Sequence, residues 1–420
     1  MKENSIIYQI FLRTATKDGD IKSAERLLGH IADLGADIVY LCPVFEMDDD
    51  NRKEFWSYRQ RKSGIENPKN PYRIKDYFKI DSEYGTDEDL KSFVKTAHRL
   101  GLRVMFDLVY FHCAPNAVLI GKGTDFIKRL PDGAPDTGEW NFPKLNFDCA
   151  ELCEYLWSNM EYLVKNFDID GYRCDVGDEV PLEFWREGRK RVEKIKSDFI
   201  MINEGTKEDW VKSGVFDANY GIWGIEAALD RPDDIIGDAS MLGKRVICFE
   251  NHDSASDGYE NRFDKKYGKE QCDAMLVFVF TSGGIPFIYN GNEIADCCRH
   301  SLWGNRFYGK NLFVDWSKAL TDEGKSRLAL IKKLSRIYHN IPAINSEKGE
   351  IIARNGRAIA YRRVYGRQEL TVIVNMAQNV AELELDDVNT DNLNTLLSAR
   401  NIIDRNRIIL DGGGYLVMCN

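Results

Sequence analysis

Three features of the chain predict a (β/α)₈ barrel followed by a smaller antiparallel β-sandwich domain: eight short apolar runs, amphipathic helical stretches between them, and a change of texture after residue 342. The runs are Ile6–Phe11, Asp37–Cys42, Arg103–Val109, Ile169–Asp175, Phe199–Glu204, Val215–Tyr220, Arg245–Glu250 and Pro286–Tyr289. They are rich in Ile, Val and Phe without strict alternation, as parallel strands buried on both faces should be. Between them the apolar spacing predicts helices over Ile21–Leu34, Asp87–Leu100, Leu152–Asn166, Leu182–Lys196 and Gln271–Thr281. Gly35 and Gly101 stand just past two of these, where a left-handed residue ends a helix.

Two excursions interrupt the alternation. Residues 43–84 are rich in charge and aromatics, and residues 112–147 carry Pro115, Gly121, Gly123, Pro131, Gly133, Pro135, Gly138 and Pro143. A loop of that length inside a compact domain is usually functional. After a helix around Thr321–Tyr338, short strands are expected at Ile351–Ala353, Ala358–Val364, Leu370–Val374, Val380–Leu385, Arg407–Leu410 and Tyr415–Cys419. The expected division is a barrel over 1–111 and 148–342, a short insertion over 112–147 and a β domain over 343–420.

Composition narrows the function classes. Of 420 residues 43% are apolar and 30% charged, which is ordinary for a globular chain with a large core. A net charge of −10 argues against a nucleic-acid partner, because neutralising phosphates needs basic surface. No run is long enough to cross a bilayer, and no apolar signal core precedes the first strand, so neither a membrane partner nor export is expected and the chain reads as cytoplasmic. The ten cysteines are scattered without a C-x-x-C pair, and Cys42, Cys174 and Cys248 lie within apolar runs. Reduced, buried thiols fit this better than a disulfide framework or a zinc site. No dinucleotide-type glycine motif or P-loop follows a strand, so no cofactor is expected.

In a barrel the reactive side chains sit at the carboxyl ends of strands. Three expected strands end in acids: the fourth in Asp175, the fifth in Glu204, and the seventh in the run Glu250-Asn251-His252-Asp253. Acids so placed converge on one mouth. Glycoside cleavage needs such a set: one carboxylate to attack, one protonated carboxyl to donate to the leaving oxygen, and a third to hold ring hydroxyls. Arg173, two residues before Asp175, supplies a cation that favours an ionised carboxylate.

With these segments in view, the chain resembles the α-amylase family of retaining glycosidases along nearly its whole length. The resemblance rests on Asp107-Leu108-Val109-Tyr110-Phe111-His112, Gly171-Tyr172-Arg173-Cys174-Asp175-Val176, Ile202-Asn203-Glu204 and Asn251-His252-Asp253. Asn70-Pro71-Tyr72-Arg73 with Tyr84-Gly85-Thr86-Asp87, and Gly284-Ile285-Pro286-Phe287 continuing to Glu293, are further family-like segments. The resemblance implies Asp175 as nucleophile, Glu204 as general acid/base and Asp253 as the residue holding the sugar's hydroxyls. It also implies sugar contacts from His112 and His252, an aromatic face from Tyr72, and Arg173 positioning Asp175. A retaining pair should have its carboxyl groups about 5–5.5 Å apart, and Glu204 should titrate high.

Some positions depart from the family pattern. Phe111 stands where an asparagine usually ligates calcium, and it offers no oxygen, so no metal is expected there. Asp18-Gly19-Asp20 has too few spaced oxygens for a calcium loop. Val176-Gly177-Asp178-Glu179 lacks the lysine–histidine pair of typical endo-α-amylases and looks more like neopullulanase and cyclomaltodextrinase relatives. Of the tryptophans, Trp56, Trp140 and Trp303 lie in loops where they can stack on sugar, Trp157 and Trp185 fall in helices as core residues, and Trp210 and Trp223 are further subsite candidates. The expected function is hydrolysis of α-glucosidic bonds, α-1,4 in particular, in maltooligosaccharides or related α-glucans. A transglycosylase or sugar isomerase on the same scaffold, or a non-catalytic carbohydrate-binding relative, are the alternatives.

Overall fold

Eight parallel strands surround the core: β1 (Ile7–Ile10), β2 (Ile38–Leu41), β3 (Arg103–Leu108), β4 (Gly171–Cys174), β5 (Ile200–Glu204), β6 (Ala218–Tyr220), β7 (Val246–Cys248) and β8 (Ile285–Tyr289). The computed structural model describes residues 5–123, 125–220, 224–256, 262–309, 312–385 and 393–420. The strands neighbour one another in the order β6-β5-β4-β3-β2-β1-β8-β7. A parallel bridge from Asn219 to Arg245, with the Asn219 amide donating to the Lys244 carbonyl at 2.9 Å, joins β6 back to β7 and closes the ring. All eight strands predicted from the sequence are present.

Why the runs lack alternation follows from two separate cores. Ile7, Ile38, Tyr40, Met105, Ile202 and Phe287 point inward and form one cluster inside the barrel. Tyr8, Val39, Leu41, Val104, Phe106 and Tyr172 point outward and form another with the helices. Both faces of each strand are therefore apolar. At Gly171 the β5 backbone passes so close that a Cβ would lie 2.8 Å from the Ile200 carbonyl oxygen, and only glycine leaves the strands paired there.

The helix Asp87–Arg99 shows how local sequence sets the elements. Thr86 caps it in a reciprocal box with Asp89, Leu90, Phe93, Val94 and Ala97 turn inward, and Gly101 follows with a left-handed φ of 80°. The expected single helix Ile21–Leu34 is instead two, Ile21–Glu25 and Leu28–Asp33, before Gly35 at φ 87°. The excursion after β2 folds as an antiparallel ribbon of Phe45–Met47 with Ile74–Ile80, carrying a helix, Tyr58–Ser63, between its arms. The insertion after β3 holds one 3₁₀ turn, Val118–Gly121, and a few isolated bridges.

Beyond the helix Asp322–Asn340 lie β9 (Lys348–Asn355), β10 (Ala358–Tyr365), β11 (Gln368–Asn375), β12 (Ala381–Glu384), β13 (Asn394–Asp404) and β14 (Arg407–Cys419), all antiparallel. Ala358, Ala360, Ile373, Leu383, Ile408 and Leu416 enclose a small core of their own, the interior of the sandwich. The opposite face, with Ile359, Tyr361, Val372 and Val417, joins the core of the barrel helices. Two expectations need correcting here. The segment 394–404 is a strand that its polar sequence conceals, and 407–410 and 415–419 are one long strand running through three glycines. Among the described residues no helix is long and apolar enough to cross a membrane.

Candidate active site

Strands β3, β4 and β5 are consecutive, and they bring Asp107, Arg173, Asp175 and Glu204 together at the barrel mouth. Arg173 is 1% exposed and its guanidinium binds all three acids: Nη1 lies 2.7 Å from Asp107 Oδ1 and 2.7 Å from Asp175 Oδ1, and Nη2 lies 2.8 Å from Glu204 Oε1. Asp107, fully buried, also accepts from the hydroxyls of Tyr40 at 2.6 Å and Tyr72 at 3.0 Å. Three carboxylates thus share one cation.

That imbalance governs their titration. Burial, with Glu204 and Asp107 adding to it, pushes Asp175 well above the usual carboxylate range, although Arg173 pulls the other way. Arg173 therefore favours the ionised form of Asp175, as expected, against the opposing effect of burial. Burial also raises Glu204, opposed by Arg173 and reinforced by Asp253, as a general acid requires. The Glu204 side chain keeps 26% of its surface open toward the cavity, against 7% for Asp175.

The turn after β4 fixes Glu204. Val176 adopts a left-handed conformation, φ 45° and ψ 41°, which costs a β-branched residue about 1–3 kcal/mol. In that conformation its amide donates to Glu204 Oε2 at 2.8 Å. Asp178, one of the departures from the family pattern, accepts from Asn203 Nδ2 at 2.9 Å and from the Thr206 amide at 2.6 Å, so the loops after β4 and β5 are tied on both sides of Glu204.

Across the mouth, β7 ends at Cys248 and a turn held by Asn251 carries Asp253, whose amide donates to Asn251 Oδ1 at 3.0 Å. Although burial opposes it, His252 and the Arg59 guanidinium hold Asp253 down to about 2. Arg59 Nη1 lies 2.7 Å from Asp253 Oδ1. The other acid of that run, Glu250, does not reach the mouth. It accepts from Arg262 Nε at 2.8 Å, the Phe263 amide at 2.7 Å and Asn292 Nδ2 at 2.7 Å.

His252 is locked by Gln9, whose Oε1 accepts the His252 amide at 3.1 Å while its Nε2 faces Nδ1 at 2.8 Å. The ring proton therefore sits on Nε2, 2.6 Å from the Tyr72 oxygen, and Tyr72 donates onward to Asp107. Tyr72 also stacks on the His252 ring, centroids 5.4 Å apart and 12° from parallel. Burial lowers both histidines, His112 to about 4, while the neighbouring Asp253 opposes it at His252. His112 packs between Phe142 and Trp140, at 5.0 and 5.9 Å, and its Nδ1 is buried with no partner.

These groups line a cavity of about 560 Å³ whose walls include Tyr72, His112, Trp140, Asp175, Glu204 and Asp253. Trp140 and Trp303 line it as well. Trp56 does not: it is buried in the ribbon with its indole N–H on the Asp50 carbonyl at 3.2 Å. Trp185 is core, Trp157 is half-buried against Phe184, and Trp210 stacks on Phe216 at 6.2 Å. Trp223 lies outside the described residues. Sequence reasoning missed Arg59, Gln9 and Tyr40 as parts of the site. Among the described residues no group of three or more His, Cys, Asp or Glu side chains is arranged to hold a metal ion. Phe111 meets the edge of Trp140 at 5.7 Å, and Asp20 caps the helix Ile21–Glu25.

The barrel, the insertion after β3, the C-terminal sheet, and acids after β4, at the end of β5 and after β7 are the arrangement the sequence resemblance led one to expect. Residues 7–123 match the family model described as alpha amylase, catalytic domain. Over 396 residues it is 28% identical to a cyclomaltodextrinase of Bacillus sp., covering 85% of this chain and 65% of that protein. It is 24% identical to an intracellular maltogenic amylase of Bacillus subtilis, covering 91% and 66%. The chain thus spans just under two thirds of the length of these relatives. In fold it is similar to a crystal structure of a maltogenic α-amylase from Thermotoga neapolitana, with a TM-score of 0.76, 24% identity, and 99% and 98% of the two chains covered. An α-amylase from Lactobacillus plantarum superposes with a TM-score of 0.78 at 24% identity over 99% of each chain.

Proposed function

We propose that the protein is a retaining glycoside hydrolase that cleaves α-1,4-glucosidic bonds in maltooligosaccharides or related α-glucans. The observation that carries this reading is the single Arg173 guanidinium holding both Asp175 and Glu204 at the edge of one sugar-sized cavity. Two carboxyls on one guanidinium favour the short separation of retaining pairs, about 5–5.5 Å, over the wider gap that admits a water between them. The names of the relatives, cyclomaltodextrinase and maltogenic amylase, support the α-glucan substrate, and the one called intracellular supports a cytoplasmic setting.

In this reaction Asp175, ionised, attacks the anomeric carbon while Glu204 gives its proton to the departing glycosidic oxygen. The glycosyl group then rests on Asp175 as an ester. Glu204, now ionised, takes a proton from water as that water attacks, and Asp175 leaves as carboxylate. Charge supports the division of labour: three acids share one cation, and Glu204, the more open of the pair, is placed to deliver a proton. Asp253, held ionised, and neutral His112 and His252 take the ring hydroxyls, with Tyr72 against the sugar's apolar face.

Incubation with maltooligosaccharides, followed by proton NMR of the newly released ends, tests the reading. The expected product is the α-anomer at early times, abolished in Asp175→Asn and Glu204→Gln. Release of the β-anomer, or undiminished hydrolysis in either variant, overturns the assignment.

A further inference from the structure

Beyond holding Asp253 down, Arg59 has a position that is informative. Strands β2, β1, β8 and β7 are consecutive around the ring, so the loops after β2, β8 and β7 meet on the side of the mouth away from β4 and β5. Arg59, Trp303 and Asp253 come from those three loops. The Arg59 guanidinium spans them: it is 2.7 Å from Asp253 Oδ1, its carbon lies 5.8 Å from the centre of the Trp303 ring, and its side chain is 34% exposed.

This corner is built rather than incidental. Arg59 sits in the first turn of the helix Tyr58–Ser63, which Ser57 caps by accepting the Gln60 amide and which ends at left-handed Gly64. Gln60, buried, donates to the carbonyls of Asn67 at 3.0 Å and Pro68 at 3.2 Å. Asn67 Nδ2 in turn donates to the Trp303 carbonyl at 2.8 Å. The adjoining Leu302 carbonyl accepts from Arg13 at 2.6 Å, and Arg13 is held by Glu83 at 2.7 Å. Helix, ribbon and the loop after β8 are thereby fastened into one wall.

Chemistry gives that wall a direction. Glu204 protonates the leaving oxygen, so the departing part of the substrate lies toward β5, and the retained sugar points the other way, toward Asp253 and Arg59. We propose that Arg59, braced on Trp303 and Asp253, closes the retained-sugar side of the cavity, so that the enzyme removes short units from the non-reducing ends of α-glucan chains and takes interior or cyclic bonds poorly. The terminal sugar's hydroxyls supply acceptors for the guanidinium at that end. This inference rests on the hydrolase reading and adds the part of the chain that is cut.

The test compares maltoheptaose derivatives that carry a chromogenic group at the reducing end, with the non-reducing end either free or blocked by a 4,6-O-acetal. The wild type is expected to process the free substrate at least roughly tenfold faster in kcat/KM than the blocked one, and cyclodextrins with similar reluctance. Arg59→Ala should shrink the free-to-blocked ratio toward one whatever its absolute rate, while Arg59→Lys should retain most of it. Equal rates on both substrates in the wild type, or an unchanged ratio in Arg59→Ala, overturns the proposal while leaving the hydrolase reading intact. Cleavage of neither substrate, nor of cyclodextrins, overturns the hydrolase reading and the inference together.

Discussion

Two buried arginines in this molecule each gather carboxylates, and they do opposite things with them. Arg262, 2% exposed, binds Glu250 Oε2 at 2.8 Å and Asp296 Oδ2 at 2.8 Å, with His300 beside it. There each acid has further donors: Glu250 has the Phe263 amide and Asn292, and Asp296 has the amides of Cys298 at 3.3 Å and Asp315 at 3.2 Å. Despite burial, His300 and Arg262 keep Asp296 down at about 2. Arg173 instead holds three acids, two of which face a cavity and titrate high. One cation with two buried acids that each have further donors makes a brace, whereas one cation shared by three acids leaves two of them raised beside a cavity.

The comparison breaks most visibly in catalysis. Glu204→Gln and Asp175→Asn should each lower kcat on the order of 10³-fold or more, measured on a maltooligosaccharide, whereas Glu250→Gln should not approach that loss. Arg173→Met should lower kcat on the order of 10²–10³-fold, because the proposed acid and nucleophile, Glu204 and Asp175, lose the guanidinium they share. Arg262→Met should act on stability instead, removing about 3–5 kcal/mol in denaturant unfolding as its buried acids lose their partner.

Proton supply sharpens the contrast further. Activity should rise and fall through the two apparent titrations of the Asp175–Glu204 pair, and because both groups titrate above the usual carboxylate range, both limbs of the kcat/KM profile should lie at higher pH than for ordinary acids. The smallest effect runs the other way. A carboxyl whose folded pKa is raised costs stability above its unfolded value, so Glu204→Gln should unfold about 1–3 °C higher than the wild type at pH 7 and lose that advantage below about pH 4. A melting temperature lowered at pH 7 would contradict the assignment of an unfavourable buried charge.

Much of this architecture is legible in the sequence, because the signals are local. The barrel strands are apolar on both faces, and Thr86 and Gly101 punctuate their helix whatever lies around it. Asp175 and Glu204 are legible because strand ends in a barrel all point to one mouth. What escapes is decided at long range. Glu250 and Asp253 stand in the same short run, and only the placement of Arg262 separates brace from site. Arg59 reads as one charge in the basic run Arg59-Gln60-Arg61-Lys62, and the cap pair Ser57 and Gly64, which marks a short rigid helix, is the signal that could have singled it out. The strand Asn394–Asp404 escapes because more than half its residues face solvent and its partner supplies the pattern.

Trapping the intermediate tests the central claim most directly. A 5-fluoro-α-glucosyl fluoride, which forms the glycosyl ester quickly and releases it slowly, should add one fluoroglucosyl mass to the intact protein. Peptide mapping should find that mass on Asp175, with no label in Asp175→Asn. A label on Glu204 or Asp253, or turnover of the substrate with no covalent adduct at any time, would contradict the account.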